Sequence, residues 1–218
     1  LRLPDGAAVE VFDNAGNTAG GTLGYPDDRQ AVVAVESVRP AGPAGARLTV
    51  ASAVPKAERA DWLVEKLSEL GVARWLPLAT ERSVVLPSGT GKRQRWMRIA
   101  TESAKQSRRD GVMAIDELTP LPAAIAATGQ RTHGCTSEAW AWVLSTVGDA
   151  RPVAKVLVSP LPAELTVFIG PEGGWTDAEL RQFTTARIVS VRLGDTVLRV
   201  ETAAIAAAAI VAGMSERE

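Results

Sequence analysis

The chain has 218 residues, of which 46% are hydrophobic, so it can hold one medium domain and a small one. Its one cysteine (Cys135) excludes an intramolecular disulfide and a cysteine-rich zinc site, and its one histidine (His133) leaves little for a histidine-based triad or a metal cluster. The net charge of −1 is unevenly distributed, because residues 46–110 carry thirteen basic and seven acidic side chains. With no apolar run of about 20 residues and no signal-peptide pattern, we expect a cytoplasmic protein without a metal or a membrane partner.

The beginning of the chain is typical of a small β domain. Residues 8–12 and 30–35 predict short strands, and the glycine-rich residues 20–24 between them predict a hairpin. Residues 40–45, rich in proline and glycine, predict a linker. We therefore expect one domain over residues 1–44 and a second over residues 45–218. Because the chain begins at Leu1, we also expect a further N-terminal piece in the natural protein.

The second domain begins with alternating strands and helices, which predict a mostly parallel α/β sheet. Residues 48–53 and 73–78 predict strands, and residues 57–70 predict a helix between them. The helical period places Ala60, Leu63, Val64 and Leu67 on the inward face of this helix. The helix that follows carries the densest run of cations and buries a stripe that includes Trp96, Ile99 and Ala100. Such a run is usually a solvated helix face, but it could also bind a polyanion. Its cations are Lys92, Arg93, Arg95, Arg98, Lys105, Arg108 and Arg109.

A glycine-rich turn after residues 165–169 is the most informative local feature. These residues predict a buried strand, and Gly170, Pro171, Gly173 and Gly174 end it. Thr176 and Glu179 have the spacing of a capping box, which predicts that a helix begins there. The glycines would let the backbone approach a ligand closely, although a strand, a turn and a helix can also be purely structural.

A second element of the same kind lies about twenty residues further on. Residues 188–193 predict a strand that ends at Gly194. An alanine-rich helix is predicted to begin near Glu201 and to run to about Val211, with Gly213 as the expected stop. Open α/β sheets bind ligands at the carboxyl ends of neighbouring strands, so the two loops indicate one site. A dinucleotide-binding glycine fingerprint and a P-loop lysine are both absent, which argues against a nucleotide triphosphatase.

These motifs resemble the RsmE family, SPOUT-superfamily methyltransferases that make N3-methyluridine in small-subunit ribosomal RNA. The matching segments are residues 170–174, 193–194 and 198–203, together with Lys56 and residues 65–72, 80–83 and 102–109 upstream. The chain departs from the family pattern at Val200, where threonine is usual, and at Met113, where proline is usual.

The resemblance implies an α/β fold of the SPOUT type: a mostly parallel sheet with a C-terminal trefoil knot, preceded by a small PUA-like or OB-like β-barrel that docks on RNA. It also implies S-adenosylmethionine as cofactor, since the loops offer backbone donors and an apolar floor. The expected cofactor-binding residues are Ile169, Gly170, Pro171, Gly173, Gly174, Leu193, Gly194, Leu198, Glu201 and Thr202.

For the acceptor uridine, the expected catalytic residues are Arg199 and Arg109, which would grip the base or its phosphate, and Glu172, which could accept a proton or simply cap backbone amides. The expected partners are small-subunit ribosomal RNA in an assembled or nearly assembled subunit and a second copy of the chain. Two alternatives stay open: the same fold and cofactor acting on another RNA nucleotide, and a non-catalytic RNA-binding module. The expected RNA-binding residues are Lys56, Arg82, Lys92, Arg95, Lys105 and Arg108.

Overall fold

The computed structural model describes residues 3–13, 17–40, 47–86, 90–109, 111–131, 141–157 and 160–214. Most of the predicted linker, His133 and Cys135 lie outside the described residues. Within these ranges, no helix is long and apolar enough to cross a membrane. The same ranges contain no group of three or more His, Cys, Asp or Glu side chains that could hold a metal ion.

The N-terminal part is a three-stranded antiparallel sheet of strands β1 (Ala8–Phe12), β2 (Thr18–Asp27) and β3 (Gln30–Arg39), in that order. The chain reverses between β2 and β3 at Asp27, whose carboxylate accepts hydrogen bonds from the backbone N–H groups of the next turn. An aspartate side chain at this position stabilises a tight turn.

The predicted hairpin at residues 20–24 is wrong, because these residues lie inside β2. The strand register shifts between Gly20 and Gly21, which marks a β-bulge. A Cβ atom at Gly21 would lie 2.3 Å from the carbonyl oxygen of Ala34 on β3. Glycine is therefore required here for close strand approach at a bulge rather than for a turn.

The second sheet has eight strands in the described part of the chain, and every strand pair in it is parallel. The strands are β4 (Arg47–Ala53), β5 (Arg74–Ala79), β6 (Ala114–Ile115), β7 (Thr119–Pro120), β8 (Ala141–Leu144), β9 (Arg151–Pro152), β10 (Glu164–Ile169) and β11 (Val189–Arg192). Their spatial order is β6-β5-β4-β10-β8-β11-β9, with β7 paired to β5.

Helices cover both faces of this sheet, as expected for buried parallel strands. The helices are α1 (Glu58–Glu69), α2 (Thr90–Gln106), α3 (Leu121–Arg131), α4 (Asp177–Thr185) and α5 (Val200–Met214), with a short 3-10 turn at Val153–Lys155. Helices α1, α2 and α5 pack on one face of the sheet, and α3 and α4 pack on the other.

Alternation along the central strands builds two separate cores. Val50 and Val167 point to the face with α1, α2 and α5, and their neighbours Ala51 and Phe168 point to the face with α3 and α4. The predicted inward stripes of α1 and α2 are confirmed, since Ala60, Leu63, Val64, Leu67, Trp96, Ala100 and Ala104 are all buried. The mostly parallel α/β fold is likewise confirmed.

The bounds of the C-terminal elements differ only slightly from the prediction. The last helix begins one residue earlier, at Val200, and continues through Gly213 to Met214. Gly213 therefore does not end the helix. The strand order places β8 between β10 and β11, so the loops after these three strands emerge side by side at the carboxyl edge.

Candidate functional site

A cavity of about 240 Å³ lies where these three loops meet. Its walls are backbone and apolar side chains together with a few hydroxyl groups, and Arg82 is the charged side chain among the lining residues. The lining consists of Arg82, Leu144, Ser145, Thr146, Val147, Ile169, Gly170, Pro171, Gly173, Gly174, Trp175, Val191, Leu193, Gly194, Thr196, Val197, Leu198, Val200 and Ala203.

The glycine loop after β10 is shaped around the indole ring of Trp175. A Cβ atom at Gly170 would lie 2.9 Å from this ring, so the position has room only for glycine. The indole N–H donates to the carbonyl oxygen of Leu144 (3.0 Å) and thereby joins the β10 loop to the end of β8. The ring also packs edge-on against Phe183 of α4, with centroids 4.9 Å apart. Trp175 is thus a fixed wall of the cavity.

The predicted capping box at the start of α4 is confirmed. Glu179 donates its backbone N–H to the hydroxyl of Thr176 (3.2 Å), and its carboxylate accepts from the backbone N–H of Thr176 (2.8 Å). The same carboxylate accepts the backbone N–H of Glu81 (3.0 Å), on the loop that follows β5. Since only 2% of Glu179 is exposed, this side chain joins two loops in a nearly dry environment.

Arg82 makes a second link between the same two loops. One guanidinium nitrogen, Nη1, donates to the carbonyl oxygen of Gly173 (2.7 Å), and its aliphatic stem lies over the same glycine. A Cβ atom at Gly173 would meet Arg82 Cδ at 3.3 Å. Gly173 therefore makes room for the arginine. Arg82 was expected to bind RNA, and the structure adds that it lines the cavity.

The loop after β8 was missed by sequence reasoning. Residues 144–147 form one wall of the cavity, and Ser145 donates its backbone N–H to the carbonyl oxygen of Val191 on β11 (3.0 Å). The sequence holds a signal for it, because the apolar residues 141–144 are followed by Ser145 and Thr146 and then by Gly148. A short strand ending in a polar turn is weak evidence until its neighbours in the sheet are known.

Eight of the ten expected cofactor-binding residues line the cavity, and their binding role stays a prediction. Glu201 and Thr202 do not line it. Helix geometry explains this, since Val200 and Ala203 lie on the cavity side of the first turn of α5 and the two intervening residues are rotated away. Glu201 is buried instead beside Arg59 of α1, with 3.8 Å between the nearest ionic atoms. The eight are Ile169, Gly170, Pro171, Gly173, Gly174, Leu193, Gly194 and Leu198.

The three expected catalytic residues lie outside the cavity lining. Glu172 and Arg199 are exposed on the loops that border it. Arg109 follows α2, and its guanidinium donates to the carbonyl oxygens of Ser68 (2.9 Å) and Val72 (3.0 Å) at the end of α1. Burial lowers the pKa of this guanidinium below its usual value. Arg109 thus links the segment after α2 to the end of α1.

Replacing Arg109 with alanine should lower the free energy of unfolding by about 2 kcal/mol, because two hydrogen bonds from a charged donor are lost. Cofactor affinity should stay within about twofold, since the contacts lie at the end of α1. Denaturant unfolding and calorimetric titration measure the two quantities. Arg108→Ala is the control, with an expected change below about 0.5 kcal/mol, since Arg108 is exposed. Unchanged stability in Arg109→Ala would contradict the structural role.

The expected RNA-binding residues are all exposed, and Arg82 differs from the others in that it also lines the cavity. Lys92, Arg95 and Lys105 project from α2, Arg108 ends the same segment with a φ of 54°, and Lys56 precedes α1. Two of these cations are already paired: Arg95 with Asp61 (2.6 Å) and Lys105 with Glu102 (2.9 Å). Exposed pairs of this kind are weak and can exchange partners with phosphate.

Comparison with known proteins gives one consistent result. A protein family described as an RNA methyltransferase domain matches residues 43–212. The chain is 31% identical to ribosomal RNA small subunit methyltransferase E of Bacillus subtilis over 175 residues, covering 78% of this chain and 67% of that one. It is 31% identical to the Synechocystis protein of the same name over 218 residues, covering 99% and 69%.

A solved structure extends the likeness to the fold. The ribosomal RNA small subunit methyltransferase E from Neisseria gonorrhoeae, bound to S-adenosyl methionine, superposes with a TM-score of 0.78. The two sequences are 25% identical, and the match covers 98% of this chain and 85% of the other.

Proposed function

Because the chain belongs to the ribosomal RNA small subunit methyltransferase E family, we propose that it transfers a methyl group from S-adenosylmethionine to N3 of one uridine in small-subunit ribosomal RNA. The observation that carries the proposal is the cavity at the carboxyl edge of the sheet. The loops after β8, β10 and β11 build it, and the structurally similar Neisseria protein binds S-adenosyl methionine.

The residues that line the cavity fit this cofactor. Apolar side chains such as Ile169, Leu193 and Leu198 suit the adenine ring, while the glycine loop exposes backbone groups that can bond its polar atoms. Gly170 and Gly173 make room for the Trp175 ring and the Arg82 side chain, which form part of the cavity wall. When bound, the cofactor supplies a methyl group already activated on a sulfonium, so the protein mainly has to orient the two reactants.

The acceptor makes the larger chemical demand. Uracil N3 carries a proton with a pKa of about 9–10, close to that of a phenol. A neighbouring cation that stabilises the developing anion lowers the barrier, as an oxyanion hole does. Arg199 is proposed to contact the base or its phosphate, and Glu172 to accept the proton. Arg109 is not proposed for this role, because its guanidinium is hydrogen-bonded at the end of α1. N3 lies on the Watson–Crick edge, so the uridine must be unpaired or turned outward during transfer.

Five exposed cations, which lie before α1, along α2 and just after α2, fit an RNA partner. Lys56, Lys92, Arg95, Lys105 and Arg108 are all exposed, and phosphate contacts of this type add affinity without reading sequence. We propose that residues 1–44 form a PUA-like docking domain and residues 45–218 a SPOUT domain with a C-terminal trefoil knot. We further propose a homodimer that acts in the cytoplasm on the assembled or nearly assembled small subunit.

Methyl transfer from labelled S-adenosylmethionine to small ribosomal subunits lacking their N3-methyluridine tests the proposal, with nucleoside mass spectrometry as the readout. We expect new N3-methyluridine in the small-subunit RNA and none in large subunits used as control. A different methylated nucleoside would favour the alternative of another RNA target. Cofactor binding without transfer to any RNA would contradict the proposed reaction, and no cofactor binding would favour a non-catalytic RNA-binding module.

A further inference from the structure

Arg82 is the charged side chain in the cavity wall. Within the described residues, no carboxylate oxygen lies within 4.0 Å of its guanidinium nitrogens. This separates it from Arg95, Lys105 and Arg192, each of which has an acidic partner. An uncompensated guanidinium at a cavity is a ready receptor for an anionic oxygen.

The position of Arg82 is fixed by contacts that leave part of the guanidinium free for a ligand. Among the described residues, the hydrogen bonds of this guanidinium use only Nη1, which donates to the carbonyl oxygen of Gly173 (2.7 Å) and lies 3.5 Å from that of Trp175. A guanidinium has further N–H donors on its other nitrogens. The residue is exposed, so these donors are accessible from the cavity and from solvent.

The loop that carries Arg82 is itself held in place. Thr80 donates its backbone N–H to the hydroxyl of Ser83 (3.1 Å), and Glu81 donates to the buried carboxylate of Glu179 (3.0 Å). Donors fixed before the reaction stabilise a developing charge without having to reorganise. Two other cations were expected to act on the acceptor base. The guanidinium of Arg109 is already hydrogen-bonded at the end of α1, and Arg199 does not line the cavity.

We propose that Arg82 is the cation that stabilises the acceptor base during methyl transfer; the inference rests on the proposed function. The N3 proton passes to a base or to solvent, and the negative charge spreads onto the uracil carbonyl oxygens, one of which Arg82 binds. The N3 electron pair then forms the new N–CH₃ bond while the S–CH₃ bond breaks and its electron pair stays on sulfur. The products are neutral N3-methyluridine and a neutral thioether.

Arg82→Gln and Arg82→Lys test this role, because glutamine removes the charge and lysine keeps it. We expect the saturating single-turnover rate of Arg82→Gln to fall about 100-fold, with cofactor affinity within about threefold of the parent. Arg82→Lys should keep the rate within about tenfold, since its charge remains. Arg47→Gln is the matched control and should change neither the rate nor the cofactor affinity. Arg47 is an exposed arginine at the amino end of β4, away from the carboxyl ends of the strands where the cavity lies.

The pH profile separates this role from a merely structural one. A nearby cation lowers the pKa of bound uracil, so its loss should move the rising limb of the rate profile upward by about one unit. The deficit of Arg82→Gln should therefore shrink between about pH 7 and about pH 9.5. If Arg82 only held the glycine loop in place, the rate of Arg82→Gln would be reduced by the same factor at every pH.

Three results would overturn the assignment. An affinity for S-adenosylmethionine at least tenfold weaker with a normal saturating rate would make Arg82 a cofactor ligand or loop brace. A weaker RNA affinity with a salt dependence reduced by about one unit would make it a phosphate contact. An equal loss in the lysine and glutamine variants would exclude a charge effect. Absence of N3-methyluridine with the parent protein would instead refute the proposed function itself.

Discussion

Replacing Gly170 with valine should weaken S-adenosylmethionine binding by at least about 100-fold. Any Cβ here would meet the Trp175 indole at 2.9 Å, closer than side-chain carbons approach in real structures. The ring would have to leave its hydrogen bond to Leu144 and its packing on Phe183. Overpacking of about 1–3 kcal/mol and a lost part-buried hydrogen bond of similar size together amount to about 2–6 kcal/mol, compared with roughly 2.7 kcal/mol for a 100-fold loss.

Calorimetric titration of the folded variant measures this effect. Gly91→Ala is the matched control, since a Cβ there meets nothing within 4 Å and alanine suits a helix interior. Circular dichroism and the unfolding temperature show whether Gly170→Val still folds. If the folded variant bound the cofactor as tightly as the parent, the β10 loop could not be the wall of the cofactor site.

Replacing Glu179 with alanine should lower the free energy of unfolding by about 3 kcal/mol. Its carboxylate accepts hydrogen bonds from the backbone N–H groups of Thr176 and Glu81, and each partner left without an acceptor costs about 1–3 kcal/mol. For a domain of this size, the unfolding temperature should fall by roughly 6–12 °C. Because the same carboxylate joins the β5 and β10 loops, cofactor affinity should also fall, by about tenfold.

Thermal and denaturant unfolding measure the stability change, and Asp177→Ala is the matched control. Asp177 is an exposed acidic residue in the same first turn of α4, and its loss should cost no more than about 0.5 kcal/mol. Equal losses in the two variants would mean that Glu179 acts only as a helix-dipole charge. A stability loss without any change in cofactor affinity would contradict the proposed coupling of the two loops.

Several features of the fold could be predicted because their causes are local. The capping box of Thr176 and Glu179 needs only a three-residue spacing, and the inward stripe of α1 needs only a helical period. The glycine-rich residues 20–24 show the limit of such reasoning. Glycine marks a turn and a β-bulge equally well, and the choice at Gly21 depends on Ala34 in another strand.

The candidate site could likewise be predicted only in part from the sequence. Residues 169–174 and 193–198 lie at the ends of strands that the sequence predicts, so eight of the nineteen described residues that line the cavity were expected. Residues 144–147 were missed because only the sheet order places β8 between β10 and β11. The position of Glu201 outside the cavity lining could not be predicted, because a sequence motif does not show which side of a helix turn faces a cavity.

By itself, the sequence determined the α/β alternation, the two glycine loops and the family to which the chain belongs, since all three are written in local spacing and ordered motifs. Only the tertiary structure decided what the arginines do. Arg82 and Arg109 look alike in sequence, yet one lies over Gly173 at the cavity and the other holds the end of α1. The physical reason is that a guanidinium on a long side chain bonds whichever carbonyl the fold brings near. Those carbonyls belong to residues 37 and 41 positions away for Arg109 and 91 positions away for Arg82.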